Sequence, residues 1–145
     1  MSSWRDDASQ QAQDDLDLLV GEALEMGEKT LLETGTVLPF YLGIGEEEKV
    51  IVGSLDDRIT APEMAEKLLA LLRKSRSRFR ACAIVTDQSF VNQSLGGGEM
   101  DAIWVDLCHS EGPALSCYLP YRNTHDAPVL GDLGAQPATN LIWAH

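Results

Sequence analysis

Two short runs of strict alternation do most to limit what this chain can fold into. Ile103, Val105 and Leu107 fall on every second residue, as do Leu115, Cys117 and Leu119, and Glu111-Gly112-Pro113 separates the runs. Period-two alternation marks strands with one apolar face, and a short Gly/Pro loop between two of them makes an antiparallel hairpin. Making the two apolar faces coincide fixes the parity of the register, and a loop at 111–113 pairs Leu107 with Cys117. The other face then carries Ala102, Trp104, Asp106 and Cys108, opposite Ser116, Tyr118, Pro120 and Arg122. Two aromatic rings beside an acid and an arginine have the composition of a binding hot spot. The alternative is that a helix covers this face, since sheets are commonly buried on both sides.

The remaining elements follow from periodicity and punctuation. Residues 3–33 read as a long helix capped by Ser3, with acids in its first turn. Its apolar stripe is Ala12, Leu16, Leu19, Val20, Ala23, Leu24, Gly27 and Leu31, and Gly35 stops it. Gly21 and Gly27 each cost roughly 1 kcal/mol inside a helix, and close approach to a sheet is a reason to keep Gly27. In residues 37–44, Leu38, Phe40, Leu42 and Ile44 alternate, and Pro39 suggests an edge strand or a bulge. Residues 45–48 form a turn and 49–53 a partner strand. Thr60-Ala61-Pro62-Glu63 is a capping box that opens a second helix with the stripe Met64, Ala65, Leu68, Leu69 and Leu72. Residues 79–87 form a third strand, 88–100 a loop, and 141–143 a last short strand. The order α-β-β-α-β-β-β predicts one α+β domain over residues 1–145. Its sheet is mainly antiparallel, five- or six-stranded, and carries two helices.

Charge narrows the partners. Residues 1–66 hold 16 acids and 4 bases, residues 67–80 six bases and no acid, and residues 81–145 seven acids and the single base Arg122, for a net charge of −12. Such a chain lacks the basic face that nucleic acid requires, and its field favours cationic partners. No apolar run approaches the roughly 20 residues that span a bilayer, and no secretory signal opens the chain, so a cytoplasmic protein without membrane contact is expected. Three cysteines, Cys82, Cys108 and Cys117, make an odd number and are expected as free thiols. Neither they nor His109, His125 and His145 show metal-ligand spacing, so no metal and no cofactor is expected.

The chemical candidates read as structural. The acid pairs Asp6-Asp7, Asp14-Asp15 and Asp56-Asp57 are expected on solvated surface, because adjacent carboxylates on a helix diverge. Gly96-Gly97-Gly98 lacks the following lysine and helix of a phosphate loop. Ser54 and Ser94 do not fit a nucleophile elbow. Cys108 and His109 are strand neighbours and point to opposite faces. The basic run 67–80 complements the end of the second helix.

The text Asp101-Ala102-Ile103 with Tyr118-Leu119-Pro120-Tyr121-Arg122, following a Pro39-Phe40 strand, resembles that of a family of small uncharacterised bacterial α+β proteins over most of residues 16–122. The resemblance implies a bacterial source and a shared fold and transfers no activity. The element order is also similar to that of the roadblock/profilin-like dimeric scaffolds. The chain therefore reads as a non-catalytic interaction protein, a homodimer or an immunity-type protein that blocks a basic toxin. It would bind itself or another protein through Trp104, Asp106, Tyr118 and Arg122, with Arg122 paired to an acid such as Asp106. The alternatives are a passive structural subunit, and a small-molecule binder or enzyme that uses Asp87, Gln88, Asn92 and Gln93 in the 87–101 region. A pocket lined by Asp87, Asp101 and Arg122 would mark the last.

Overall fold

The first helix starts where a serine can cap it. Helix α1 spans Gln10–Thr34, and Ser9, in extended conformation, accepts a hydrogen bond on Oγ from the Ala12 N–H at 3.1 Å. The expected cap at Ser3 is thus corrected to Ser9, which lies three residues before the apolar stripe and places the helix where it has something to bury. Gly35 ends it at φ 79°, donating its N–H to the Leu31 carbonyl. The structure, a computed structural model, describes residues 8–35, 37, 39–45, 50–53, 61–92, 98–122 and 129–143. Asp6, Asp7, Asp56, Asp57 and the Thr60 cap lie outside them.

The strands are β1 (Phe40–Gly45), β2 (Val50–Gly53), β3 (Phe79–Asn92), β4 (Gly98–His109), β5 (Ala114–Arg122), β6 (Val129–Leu130) and β7 (Gly134–Pro137), with helix α2 (Ala61–Ser75) between β2 and β3. They form one sheet in the order β2-β1-β3-β4-β5-β6, with β7 also on β5, and every described pairing is antiparallel. The fold is α+β with two helices on an antiparallel sheet. Neither described helix is long and apolar enough to cross a membrane.

Four sequence expectations change. Strand β1 is internal, between β2 and β3, and Pro39 stands just before it, where its missing N–H costs no ladder bond. The 88–100 loop is shorter than expected, because β3 and β4 continue pairing out to Asn92 and Gly98. Residues 141–143 form a bend, held by Asn140, whose Oδ1 accepts from the Ile142 and Trp143 N–H groups. The outer edge of β5 is taken instead by β6 and β7. Finally, the hairpin register moves by two residues, to Leu107 opposite Leu115 and Val105 opposite Cys117. The turn is 110–112: Gly112 donates to the His109 carbonyl at φ 121°, and the His109 N–H donates to the Pro113 carbonyl. Glycine takes the left-handed position, so the turn closes before Pro113 and the ladder begins at Ala114. A two-residue shift keeps the parity, so each face carries the residues expected of it.

The two faces are filled differently. Leu16, Leu19, Ala23 and Leu31 of α1 pack on Leu42, Val85, Ile103, Val105, Leu107 and Cys117, which supply the larger core. On the other face α2 buries Leu68 and Leu72 against Cys82, Ile84, Cys108 and Ile142. Between Ile44–Ala81 and Gly45–Phe79 the ladder skips Arg80, the extra residue of a β-bulge. The bulge puts Phe79 on the α2 side, across Gly43, and frees Arg80 to reach α1.

Candidate functional site: the β4–β5 face

The corrected register makes Trp104 and Tyr118 direct cross-strand partners. Their rings stack with centroids 5.2 Å apart and planes 15° from parallel, a contact of the kind that adds about 0.5–1.5 kcal/mol beyond area burial. The Tyr118 ring lies over Gly134 of β7, where a Cβ would sit 2.2 Å from Cζ, so only glycine lets the ring lie flat there. Both rings are half-buried. Helix α2 packs mainly on β1 and β3, and this face's Ala102, Cys108, Ser116 and Pro120 are buried around the pair.

Asp106 is the hub beside the stack. Its Oδ1 accepts from Trp104 Nε1 at 3.1 Å and from Ser116 Oγ at 2.5 Å, and Ser116 is its cross-strand partner. Both bonds converge on one oxygen. Trp104, Asp106 and Tyr118 are therefore assembled as one site. Arg122 is not part of it: it pairs with Val129 at the far end of β5, six residues on from Ser116, or about 20 Å along a strand.

A groove of about 310 Å³ runs from Asp106 under α2. Its walls include Leu69, Ile84, Cys108 and Ile142, and its polar residues, among those described, are Glu66, Thr86, Gln88, Asp106 and Thr139. Gln88 Nε2 donates to Thr86 Oγ1 at 2.9 Å. Arg73 Nε donates to the Leu141 carbonyl and Arg76 to that of Ile142, fixing the segment that closes one end. Part of the basic run thus holds the C-terminal segment in place.

Of the residues proposed for a small-molecule site, Gln88 lines the groove and Asp87 does not, and the side chain of Asn92 lies outside the described residues. Asp87 lies on the α1 face, where its Oδ2 accepts from Tyr121 Oη at 2.6 Å and from the Val37 N–H at 3.4 Å. Burial, and then the Asp87 carboxylate, push the Tyr121 phenol up, so it stays a donor. Arg122 is on the opposite face from Asp87 and Asp101, so these three form no pocket. Gln93 lies outside the described residues.

One polar cluster was missed. Asp15, expected on solvated surface, is 3% exposed. Arg80 holds it with two bonds of 2.9 Å, His109 Nε2 lies 2.8 Å from Oδ2, and Gln11 donates to Oδ1. Desolvation opposes ionisation of Asp15, but the bonds from Arg80, His109 and Gln11 outweigh it and hold its carboxyl below the usual range. His109 Nδ1 accepts the Glu111 N–H, so its Nε2 carries the proton given to Asp15. With both ring nitrogens occupied and the ring 2% exposed, this is a structural tie. The signal available in the sequence was Asp15 lying between Ala12 and Leu16 on the buried side of the helix.

Cys82 and Cys108 are cross-strand partners on the α2 face, whereas Cys117 lies in the core beneath α1, so Cys108 and Cys117 point apart as expected. All three are free and buried, and burial pushes the Cys82 and Cys108 thiols up. A disulfide-exchange reagent is expected to react slowly with the native protein and to titrate three thiols after denaturation without reductant; a count of one would contradict the pairing. Among the described residues no three His, Cys, Asp or Glu side chains are placed to hold a metal ion.

Fold and site together define an α+β protein whose antiparallel sheet carries a stacked aromatic pair, tied to a carboxylate and partly exposed. No protein-family model, curated protein or solved structure matches the chain.

Proposed function

We propose that this is a binding protein that engages another protein through the β4–β5 face, with Trp104 and Tyr118 as anchors and Asp106 fixing the indole. The observation that carries the reading is the Trp104–Tyr118 stack, two large rings that stay partly exposed beside a carboxylate. The part of each ring left in water sacrifices roughly 25 cal/mol per Å² of apolar surface, which a partner would recover. The chain's charge of −12 favours a basic partner over a second copy, which would bring the same charge to the interface.

The test compares the wild type with Trp104→Ala, a change on the half-exposed face that leaves both cores intact. Sedimentation over a concentration range reports self-association. Affinity capture with both variants in parallel, followed by reconstitution with the purified partner, reports hetero-association. A basic partner whose affinity falls at least about tenfold in Trp104→Ala is the expected result. A wild type that dimerises through Trp104 would make the partner a second copy. Binding insensitive to Trp104, or a monomer with no Trp104-dependent partner, would overturn the reading.

A further inference from the structure

The groove beside the aromatic pair has a chemistry of its own. Its walls are aliphatic, from Leu69 of α2, Ile84 of β3 and Ile142 of the closing segment, and among the described residues Asp106 and Glu66 are its charged groups and no cationic side chain lines it. At about 310 Å³ it lies at the lower end of small-ligand pockets, about 300–1,000 Å³. Asp106 brings more than charge. The Trp104 and Ser116 donors both fall on Oδ1, so the carboxylate is held by one oxygen, and no bond to Oδ2 is made among the described residues. Thr86, 7% exposed, adds a hydroxyl oxygen to the same lining. A fixed carboxylate beside aliphatic walls matches an alkyl chain that ends in a cation, whose methylenes lie along a wall while its head meets the acid.

The geometry points to the groove as the receptor for a lysine side chain of the protein partner, with the ammonium on Asp106 and the butyl stem against Ile84, its cross-strand neighbour. This rests on the β4–β5 face being the docking surface, since Trp104 borders the groove through its bond to Asp106. Lysine suits the channel better than arginine, whose planar fork seeks two carboxylate oxygens in one plane, and here one is already taken by two donors. A neutral apolar chain would leave the Asp106 charge without a partner as water is displaced.

The test needs no partner. The full chain, labelled with nitrogen-15, is titrated with N-acetyl-lysine-N-methylamide and separately with the norleucine analogue, which has the same stem without the ammonium. The lysine analogue is expected to shift amides at 65–69, 84–88, 104–108 and 138–142 saturably. Its half-saturation should be at least about tenfold lower than that of the norleucine analogue, a difference of about 1.4 kcal/mol. Asp106→Asn should erase that preference; should this variant lose its dispersed spectrum, Leu69→Trp, which fills the channel from its wall, should abolish the shifts instead. Equal binding of the two analogues, shifts confined to other residues, or no saturable shift overturns the proposal. The two readings fail separately. A partner lost in Trp104→Ala, together with no response to the lysine analogue, removes the groove and keeps the face. A lysine response without any Trp104-dependent partner does the reverse.

Discussion

Asp15→Ala is expected to lower stability by about 3 kcal/mol, because it removes the one buried carboxylate that a guanidinium and an imidazole share. The value sits at the low end for a broken buried pair since Arg80 keeps 27% of its side chain in water. The same carboxylate predicts acid sensitivity. Its folded pKa lies below its unfolded value of about 3.9, so its contribution is fully present above that value. It is lost as pH falls through the folded pKa. Chemical-denaturation midpoints at pH 7 and across pH 5 to 2 check both parts. The wild type should weaken toward the acid end more steeply than Asp15→Asn, which has no proton to take up there. Parallel acid curves for the two proteins would show that Asp15 does not carry the effect.

The two glycines inside α1 should respond to a side chain in opposite ways. Gly21 is exposed and a Cβ there would meet nothing within 4 Å, so Gly21→Ala should stabilise by about 0.5–1 kcal/mol through helix propensity alone. At Gly27 a Cβ would stand 2.9 Å from Cγ2 of Ile103, a β-branched residue with no exposure and no room to retreat. Gly27→Val should therefore cost about 2–3 kcal/mol by overpacking, despite any gain in propensity. Thermal unfolding of the two variants beside the wild type checks the pair, and a stabilised Gly27→Val would mean that α1 does not lie as close to β4 as the structure places it.

What was legible in the sequence was whatever repeats along the chain. The α1 stripe, the α2 stripe and the alternation at 103–107 and 115–119 each named the residues that became core, and parity alone put Trp104, Asp106 and Tyr118 on one face. Gly27 on the stripe also announced the close helix–sheet contact. What escaped depends on single residues acting across long separations. The two-residue register shift turns on which loop position Gly112 occupies, and periodicity is blind to an even shift. The bulge at Arg80 inverts the facing of one residue without disturbing the apolar pattern around it. Asp15 was assigned by its neighbour Asp14, although the helix sends the two in different directions: Asp14 is exposed and bonded by Gln10, and Asp15 is buried. Arg122 shared a face with Asp106 on paper, but sharing a face does not bring two residues within reach along a strand.

The tie at Asp15 also bears on how long the native molecule lasts. It joins residues 65 and 94 positions apart in the chain, one on β3 and one on β4. Such a junction closes only after those strands have paired and α1 has settled on them, so it comes after most loop-closure entropy has been spent. Contacts made after the rate-limiting step leave the speed of folding alone and slow the return journey. The carboxylate thus acts as a latch on a finished structure, one that governs the lifetime of the native state and its exposure to proteases rather than the ease with which the chain finds it.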